Sequence, residues 1–176
     1  MIRVAHTSEL EPELLEAVRA MLVEVFEGDF DAHDWEHALG GIHAIALSED
    51  GEPVGHASVV QRRLLHGGRA LRAGYVEGVG VRREARRRGH ANALMDAIER
   101  VIRGAYEVGA LGASDAAIPL YTARGWLPWQ GETFAMAPGG RVRTPEDDDS
   151  LYVLELSAPL DLAGEIACEW RDGDVW

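Results

Sequence analysis

A short arginine-rich loop is the most specific chemical feature of the sequence. The segment RRRGHA, at residues 86–91, lies between an apolar segment ending at Val81 and an amphipathic one beginning near Ala91. A glycine-containing turn from a strand into a helix leaves backbone N–H groups free to converge, and the helix dipole adds about half a positive charge there. Arginine side chains add charge-assisted hydrogen bonds to phosphate oxygens. The loop therefore predicts a site for a phosphate-bearing ligand; the alternative is a basic surface loop with a glycine turn.

Charge is distributed unevenly along the chain. Residues 82–103 contain seven arginines and three acids, a net charge of +4, whereas residues 146–176 contain ten acids and one arginine, a net charge of −9. The first region suits an anionic ligand and the second a cationic one. The simpler alternative is that both are solvated faces.

One segment matches a zinc-peptidase pattern. His33, Glu36 and His37 fit H-x-x-E-H, and two histidines four apart on a helix can share a metal ion. The helix predicted around them is short, and no further motif supplies a third ligand. We therefore predict no metal site. The other histidines, among them His43, His56 and His66, are expected to be hydrogen-bonded or exposed.

Composition excludes several classes of protein. The chain has 176 residues, 47% hydrophobic and 27% charged, which suits one globular domain spanning residues 1–176. The single cysteine, Cys168, excludes an internal disulfide. A net charge of −13, with arginine as the only basic side chain besides histidine, disfavours nucleic acid and anionic membranes as partners. The beginning of the sequence does not resemble a secretory signal, so we expect a cytoplasmic protein.

Apolar periodicity predicts four helices. Ser8 and Glu11 have capping-box spacing before Pro12, and an apolar helical face then continues to Phe26. Asp31 is placed to cap a second helix that ends at Leu39. A third helix follows Ala91 and ends near Gly104, and a short fourth one covers residues 118–124.

The strand pattern completes a mixed α/β domain. Three antiparallel strands are predicted at residues 42–47, 54–65 and 70–81, joined by Asp50-Gly51 and Gly67-Gly68 turns. Later strands are predicted at residues 111–113 and 151–156, and residues 129–150 are predicted to be loop-like or weakly paired. The order α-α-β-β-β-α-β-α-β places a strand–loop–helix–strand unit in the middle of the chain.

The arginine loop resembles the acetyl-CoA-binding loop, Arg/Gln-x-x-Gly-x-Gly/Ala, of the GCN5-related N-acetyltransferases (GNAT superfamily). A larger set of segments resembles one family within it, the aminoglycoside 2′-N-acetyltransferases. In chain order these segments are GDF (28–30), DWEH (34–37), QRRL (61–64), GYVEGV (74–79), RGAY (103–106), RGWLPW (124–129) and GDVW (173–176). They run from residue 28 to the last residue, whereas the first 25 residues match less distinctively.

The resemblance implies a fold, a reaction and partners. The fold is the GNAT acyltransferase fold, a mixed, mostly antiparallel, splayed sheet flanked by helices. The reaction is acetyl transfer from acetyl-CoA to the 2′-amine of an aminoglycoside, an antibiotic-resistance type of activity, by direct attack in a ternary complex without a metal. The acceptor is a cationic aminosugar, and the family implies a homodimer. Residues 157–176 would form an acidic tail docked at the acceptor site.

The resemblance also assigns chemical roles. Glu77 is implied to act as the base through an ordered water, and Tyr121 is implied to protonate the departing thiolate. The backbone N–H of Val79 is implied to bind the thioester oxygen. The implied cofactor-binding residues are Val79, Gly80, Val81, Arg86, Arg87, Arg88, Gly89, His90 and Ala91. The implied acceptor-binding residues are Asp29, Glu77, Gly78, Gly112, Glu146, Asp147 and the carboxylate of Trp176.

Two departures from the family pattern affect these expectations. The family carries a serine where we align Gly112, so the range of acceptors is less certain than the reaction type. Arg87 and Arg88 stand where glycine and glutamine are common. Cys168 is not expected to carry the acetyl group, because no partner base is spaced beside it.

Two other functions fit parts of the sequence. One is a GNAT enzyme that acts on protein lysines or another polyamine, because acidic pockets also attract lysine tails. The other is a non-enzymatic module that binds acetyl-CoA and a cationic partner. A Glu77 and Tyr121 pair favours chemistry, since a sensor needs neither. Release of CoA thiol with turnover distinguishes an enzyme from a sensor.

Overall fold

The computed structural model describes all 176 residues. The helices are α1 (Pro12–Val25), α2 (Ala32–Ala38), α3 (His90–Ala105) and α4 (Ile118–Ala123). The strands are β1 (Ile2–His6), β2 (Ile42–Leu47), β3 (Pro53–His66), β4 (Arg69–Val81), β5 (Val108–Gly112), β6 (Leu127–Pro128), β7 (Thr133–Ala137), β8 (Gly140–Arg143), β9 (Leu151–Glu155) and β10 (Ile166–Glu169). Short 3₁₀ helices cover Thr7–Glu9, Arg83–Ala85 and Pro145–Asp147. None of the helices combines the length and the apolar character that a membrane crossing requires.

The residues form two compact units. The first unit contains Met1–Val60 and Val76–Val101, and the second contains Gln61–Tyr75 and Ile102–Trp176. Strands β3 and β4 each contribute residues to both units.

In the first unit, β2 pairs antiparallel with β1 and with β3. Helix α1 packs on this part of the sheet with Val18, Met21 and Leu22, all fully buried. The spacing of these residues is that of one helical face, as the sequence predicted. The predicted second helix is also confirmed, because Asp31 accepts from the N–H groups of His33 and Asp34 and caps α2.

In the second unit, β5 pairs parallel with β4 over three residue pairs, from Ala73↔Val108 to Tyr75↔Ala110. β9 pairs antiparallel with β5 and with β6. β10 pairs antiparallel with β3 and parallel with β7, and β7 forms a hairpin with β8. Glycine at position 109 lets buried Trp126 pack closely against β5, because a Cβ there would lie 3.0 Å from the Trp126 ring.

Both predicted hairpin turns are confirmed. Gly51 has a φ of +86°, and its N–H donates to Ser48 O over 3.3 Å. Gly67 and Gly68 have φ values of +55° and +75°, the pair of positive angles that a two-residue type I′ turn requires.

Several sequence predictions are wrong in detail. The capping box at the start of the chain joins His6 and Glu9 and caps the 3₁₀ helix, whereas α1 begins after Glu11 without a side-chain cap. Helix α3 continues through Gly104 to Ala105, and β5 begins at Val108 rather than residue 111.

Five strands escaped prediction altogether. β1 precedes the first helix, β6 follows α4, the β7–β8 hairpin lies inside residues 129–150, and β10 lies in the predicted tail. Each is at most five residues long, and β1, β6 and β10 pair with strands distant in sequence, so local periodicity carried little signal.

Candidate active site

The end of β4 presents the predicted base and the predicted oxyanion donor. Glu77 and Val79 are both half-buried and flank Gly78, whose φ of +57° lies in the left-handed region. Such a residue interrupts the regular strand and turns the peptide groups next to it. A Cβ at Gly78 would lie 3.2 Å from Nδ1 of His56 and 3.4 Å from Leu22, so glycine suits both the backbone angle and the packing.

The arginine loop is built as the sequence predicted. After Val81 the chain makes a 3₁₀ turn, and α3 begins at His90. Arg87 and Gly89 have positive φ values, +60° and +84°, which turn successive peptide groups within the loop. Arg86 is held back onto the strand, since its Nε donates to Val81 O over 3.1 Å.

Two cavities of the first unit border this loop. The smaller one, of about 190 Å³, is lined by residues that include Val81, Arg86, Arg87, Gly89 and Ala91. The larger one, of about 730 Å³, includes Arg88, Leu47 and Val54 in its lining. Ala85 and His90 line both cavities. Every residue of the segment 86–91 therefore lines a space next to the start of α3, where backbone N–H groups favour anions.

Arg82 has a structural role beside the loop. Its Nη1 lies 2.8 Å from Oε2 of Glu24, and its Nε donates to Pro53 O over 3.1 Å. These contacts fix the point where β4 ends. The first unit thus brings the predicted cofactor-binding residues 79–81 and 86–91 onto one continuous segment, while Asp29 lies exposed after α1.

Tyr121 is a buried phenol on α4. Its ring is 3% exposed and packs at 59° against Trp126, with ring centroids 6.2 Å apart. Burial raises the pKa of Tyr121 to about 12. The hydroxyl is therefore protonated throughout the neutral range and can donate a hydrogen bond or a proton.

The acidic turn of the second unit, residues 146–149, contains one carboxyl group with a raised pKa. Glu146 and Asp147 lie in the 3₁₀ helix Pro145–Asp147, the former exposed and the latter half-buried. Burial, followed by the nearby charges of Glu146 and Asp174, raises the pKa of Asp147 to about 6. Carboxylates that repel one another in this way form a site that a cation stabilises.

Asp148 has a different role from its neighbours. Its Oδ1 accepts from the N–H of Thr133 at 3.0 Å and from Nη1 of Arg143 at 2.8 Å, and its Oδ2 also pairs with Arg143. The hydrogen bond from Arg143 is the main cause that lowers the pKa of Asp148 to about 2. Asp148 is therefore a fixed anion that holds the acidic turn against β7 and β8.

The last residues of the sequence fold back onto the second unit. Trp176 is buried, and its Nε1 donates to Oγ1 of Thr144 over 3.0 Å. Its O atom accepts from Nη2 of Arg171 at 3.0 Å. Glu146, Asp147 and Trp176 are thus brought together around Thr144. Gly112 ends β5 opposite Leu151 and is exposed.

A buried arginine holds the same tail, and sequence reasoning missed its role. Nη2 of Arg62 donates to Glu169 O over 2.9 Å and to Val175 O over 2.7 Å. Its guanidinium also lies over the ring of Tyr75, 4.7 Å from the centroid. The sequence carried no signal for this role, since Arg62 stands between Gln61 and Arg63 on β3. Cys168 donates its S–H to the same Val175 carbonyl, and burial is the main cause that raises its thiol pKa, which suits a structural role.

The pair His33 and His37 lies on α2, where Asp34 has a structural role. Asp34 accepts from the N–H of Asp31 at 2.8 Å, which completes the capping box of α2. No group of three or more metal-ligating side chains occurs among the 176 residues.

Comparison with known proteins identifies relatives of the whole chain. An acetyltransferase (GNAT) domain family model matches residues 6–128. An aminoglycoside 2′-N-acetyltransferase of Mycolicibacterium fortuitum is 56% identical over 178 residues, covering 99% of this chain and 91% of that protein.

Solved structures share the fold at low identity. The GNAT family N-acetyltransferase YhbS of Escherichia coli, solved in complex with CoA, is 19% identical with a TM-score of 0.65, covering 96% of this chain and 88% of that one. Escherichia coli ElaA is 19% identical with a TM-score of 0.63, covering 88% of this chain and 99% of that one. The fold class expected from the sequence is therefore confirmed, and the chain belongs to the GNAT family of acetyltransferases.

Proposed function

We propose that this chain transfers the acetyl group of acetyl-CoA to the 2′-amine of aminoglycosides. The observation that carries the proposal is the 56% identity, over 99% of the chain, to an aminoglycoside 2′-N-acetyltransferase. The arginine loop, the half-buried glutamate of β4 and the acidic turn supply the groups that this reaction needs.

The loop at residues 86–91 fits the pyrophosphate of the co-substrate. Positive φ values at Arg87 and Gly89 turn the loop peptides, and the residues of the loop line a cavity of about 190 Å³ at the start of α3. Phosphate oxygens would accept from these N–H groups and from the arginine side chains. The extended backbone at Val79–Val81 would pair with the pantetheine arm.

The chemical step is an amine attack on a thioester. The amine nitrogen forms a bond to the carbonyl carbon, the C–S bond breaks, and CoA leaves as the thiol. Glu77 would take the amine proton through a water, and the N–H of Val79 would donate to the oxygen that becomes negative. Tyr121, whose pKa is about 12, would stabilise the departing sulfur as a donor.

The acceptor carries several ammonium groups, and the second unit offers carboxylates for them. Glu146 and Asp147 follow Thr144, which binds Trp176, and burial, followed by repulsion from Glu146 and Asp174, raises the pKa of Asp147. A bound ammonium would relieve that repulsion and draw the carboxyl group into its charged form. The carboxylate of Trp176, which accepts from Nη2 of Arg171, would be a further group for the acceptor. Asp29 and Glu77 would contribute further carboxylates, and Gly112 a backbone contact.

We further propose that residues 1–176 act as one acetyltransferase domain, that the protein is cytoplasmic, and that it forms a homodimer. An apolar surface of the second unit supports self-association, because Leu65 and Met136 are each 38% exposed and both line a cavity of about 700 Å³. Sedimentation of the purified protein over a range of concentrations tests the dimer.

The deciding experiment measures CoA thiol release with paired acceptors. Aminoglycosides with a 2′-amine are compared with analogues that carry a 2′-hydroxyl. We expect turnover only with the 2′-amino members, and mass spectrometry should place one acetyl group on that nitrogen. Acetyl-CoA binding without turnover on any aminoglycoside would overturn the acceptor assignment, and lysine peptides would be assayed next.

A further inference from the structure

Two buried histidines lie beneath the end of β4 that carries Glu77 and Val79. His43 on β2 and His56 on β3 are fully buried, and their ring centroids are 5.2 Å apart. Nδ1 of His43 lies 2.9 Å from Nε2 of His56. Trp35 packs against both rings, with centroid distances of 6.4 Å.

The partners of the two rings determine where their protons lie. Nδ1 of His56 is 2.7 Å from Gly78 O, and a carbonyl oxygen only accepts, so this nitrogen carries the proton. Nε2 of a neutral His56 then accepts from Nδ1–H of His43. Nε2 of His43 in turn accepts from the hydroxyl of Thr7, 2.8 Å away.

Thr7 is at the other end of this series of hydrogen bonds. The N–H of Gly40 donates to Oγ1 of Thr7 over 2.9 Å. The hydroxyl proton of Thr7 has two acceptors within reach, Nε2 of His43 at 2.8 Å and O of Gly41 at 3.3 Å, and the shorter contact is the one to His43. All donors therefore point in one direction, from Gly40 through Thr7, His43 and His56 to the carbonyl of Gly78. In this arrangement both histidines are neutral, with the proton on Nδ1.

Burial favours this neutral state. It is the main cause that lowers the pKa of His43 to about 4 and that of His56 to about 3. The rings therefore remain hydrogen-bonding groups of fixed direction throughout the neutral range.

The series of hydrogen bonds ends on the peptide group that links Gly78 to Val79. In a trans peptide the C=O and the following N–H lie in one plane and point in opposite directions. Because the carbonyl of Gly78 is directed at His56, the N–H of Val79 is directed away from the buried rings. The φ of +57° at Gly78 shows that this peptide has left the regular strand conformation.

We propose that His56, supported by His43 and Thr7, is a positioning residue that directs the Val79 N–H toward the thioester oxygen. The proposal rests on the proposed function for the role of Val79. It explains why polar rings fill a site that apolar side chains usually occupy. A donor held in place before the reaction requires no reorganisation as negative charge develops.

The test compares two substitutions of His56. Asn Nδ2 is attached to Cγ, as His Nδ1 is, so His56→Asn keeps a donor facing Gly78, whereas His56→Leu removes it. Loss of an oxyanion donor lowers kcat by about 10²–10³-fold, so loss of its positioning by His56→Leu should lower kcat by about 10–100-fold. KM for acetyl-CoA should change by less than about threefold, and His56→Asn should retain most of kcat.

Val59→Ala is the matched control, because Val59 is a fully buried residue on the same strand. It should lower the melting temperature while leaving kcat near the wild-type value. If His56→Leu loses no more kcat than Val59→Ala, or if His56→Asn is as slow as His56→Leu, the positioning role is wrong.

A second readout does not depend on turnover. Nitrogen-15 NMR of the wild-type protein should show both histidines protonated at Nδ1 from pH 6 to pH 8, and His56→Leu should shift the Val79 amide resonance. A proton on Nε2 of His56 would overturn the proposal even in an active enzyme. Absence of wild-type turnover with the expected tautomers would instead refute the proposed function.

Discussion

The indole Nε1 of Trp176 donates to Oγ1 of Thr144 over 3.0 Å, and this contact ties the end of the sequence to the acidic turn. Thr144 donates in turn to Oγ1 of Thr133 over 2.9 Å, and both threonines are buried. The residue that precedes Pro145 and Glu146 is therefore also the residue that locates Trp176. Two groups assigned to the acceptor are coupled through one hydroxyl.

Replacing Thr144 by valine tests this coupling. The change keeps the shape of the side chain but leaves a buried indole N–H without its acceptor, which should cost about 1–3 kcal/mol of stability. We expect KM for the aminoglycoside to rise roughly tenfold while KM for acetyl-CoA stays unchanged. Steady-state kinetics with both substrates measures the effect. Thr122→Val, at an exposed position of α4, is the control; equal effects of the two variants would contradict the coupling.

Replacing Glu77 by glutamine tests the assigned base. The amide cannot accept a proton from the water, so kcat should fall by about 10²–10⁴-fold, a larger loss than any rise in KM for the acceptor. Glu84→Gln, on the exposed 3₁₀ turn after β4, should behave as wild type. A higher KM for the acceptor with an unchanged kcat would mean that Glu77 binds the acceptor without acting as a base.

Replacing Tyr121 by phenylalanine tests the donor to the departing sulfur. Because the pKa of Tyr121 is about 12, the wild-type phenol stays protonated and kcat should show no loss from its ionisation up to pH 9. The variant should lose about 10–100-fold in kcat, corresponding to about 1.4–2.7 kcal/mol of transition-state stabilisation. Tyr106→Phe, another tyrosine of the second unit, is the control. Full activity of Tyr121→Phe would exclude the role.

Gly112 allows a direct test of acceptor range. A Cβ at this position would lie 3.8 Å from the hydroxyl of Tyr75, an ordinary contact, so Gly112→Ser should fold with an unchanged melting temperature. The added hydroxyl offers one hydrogen bond, and KM for 2′-amino acceptors should fall by about 2- to 10-fold. Gly109→Ser, where a Cβ would meet Trp126 at 3.0 Å, should be destabilised instead. Identical acceptor kinetics in Gly112→Ser and wild type would show that residue 112 does not contact the acceptor.

Acid stability should follow the buried histidine pair. The pKa values of His43 and His56 in the folded protein are about 4 and about 3, below the unfolded value near 6.5. Between those values the unfolded chain binds more protons, so the free energy of unfolding should decrease as pH falls from 6.5 to 4, by up to about 1.4 kcal/mol per pH unit for each histidine.

Protonation of Asp147 changes the free energy of unfolding in the opposite direction. Its folded pKa of about 6 exceeds the usual value of 3.8, so in this window the folded state binds the additional proton and stability increases as pH falls. Two histidines outweigh one carboxyl, so urea unfolding at pH 4.5 and pH 7 should give the lower free energy at pH 4.5. His43→Gln should reduce the difference, and an unchanged difference would contradict the assignment.

Local pattern predicted the parts of the fold that local interactions determine. The apolar face of α1, the Asp31 cap and the glycine pair at residues 67–68 were all readable from spacing alone. The hairpin β7–β8 and strand β10 were not, because β10 is held by β3 and β7 through pairings such as Cys168↔Leu64 that are distant in sequence.

The candidate site likewise contains residues that could be predicted from local sequence and residues that could not. The arginine loop was predicted from its own residues, whereas the roles of Glu77, Tyr121 and Trp176 came from a family resemblance. The supporting contacts of Arg62, Thr144 and His56 could not be predicted, because each reaches partners far along the chain. Nothing in the neighbouring sequence distinguishes them from residues of an ordinary core.

The contact of Arg62 with Val175 affects how the protein folds during translation. These residues are 113 positions apart, so the part of β3 in the second unit lacks this partner until the ribosome has added 113 further residues. At about 5–20 residues per second, that interval lasts about 6–23 s. During it the strand edge later covered by β10 is exposed, and such edges are where nascent chains aggregate or recruit chaperones. Translation that stops just before β10 therefore yields a chain whose second unit lacks the residues that close it.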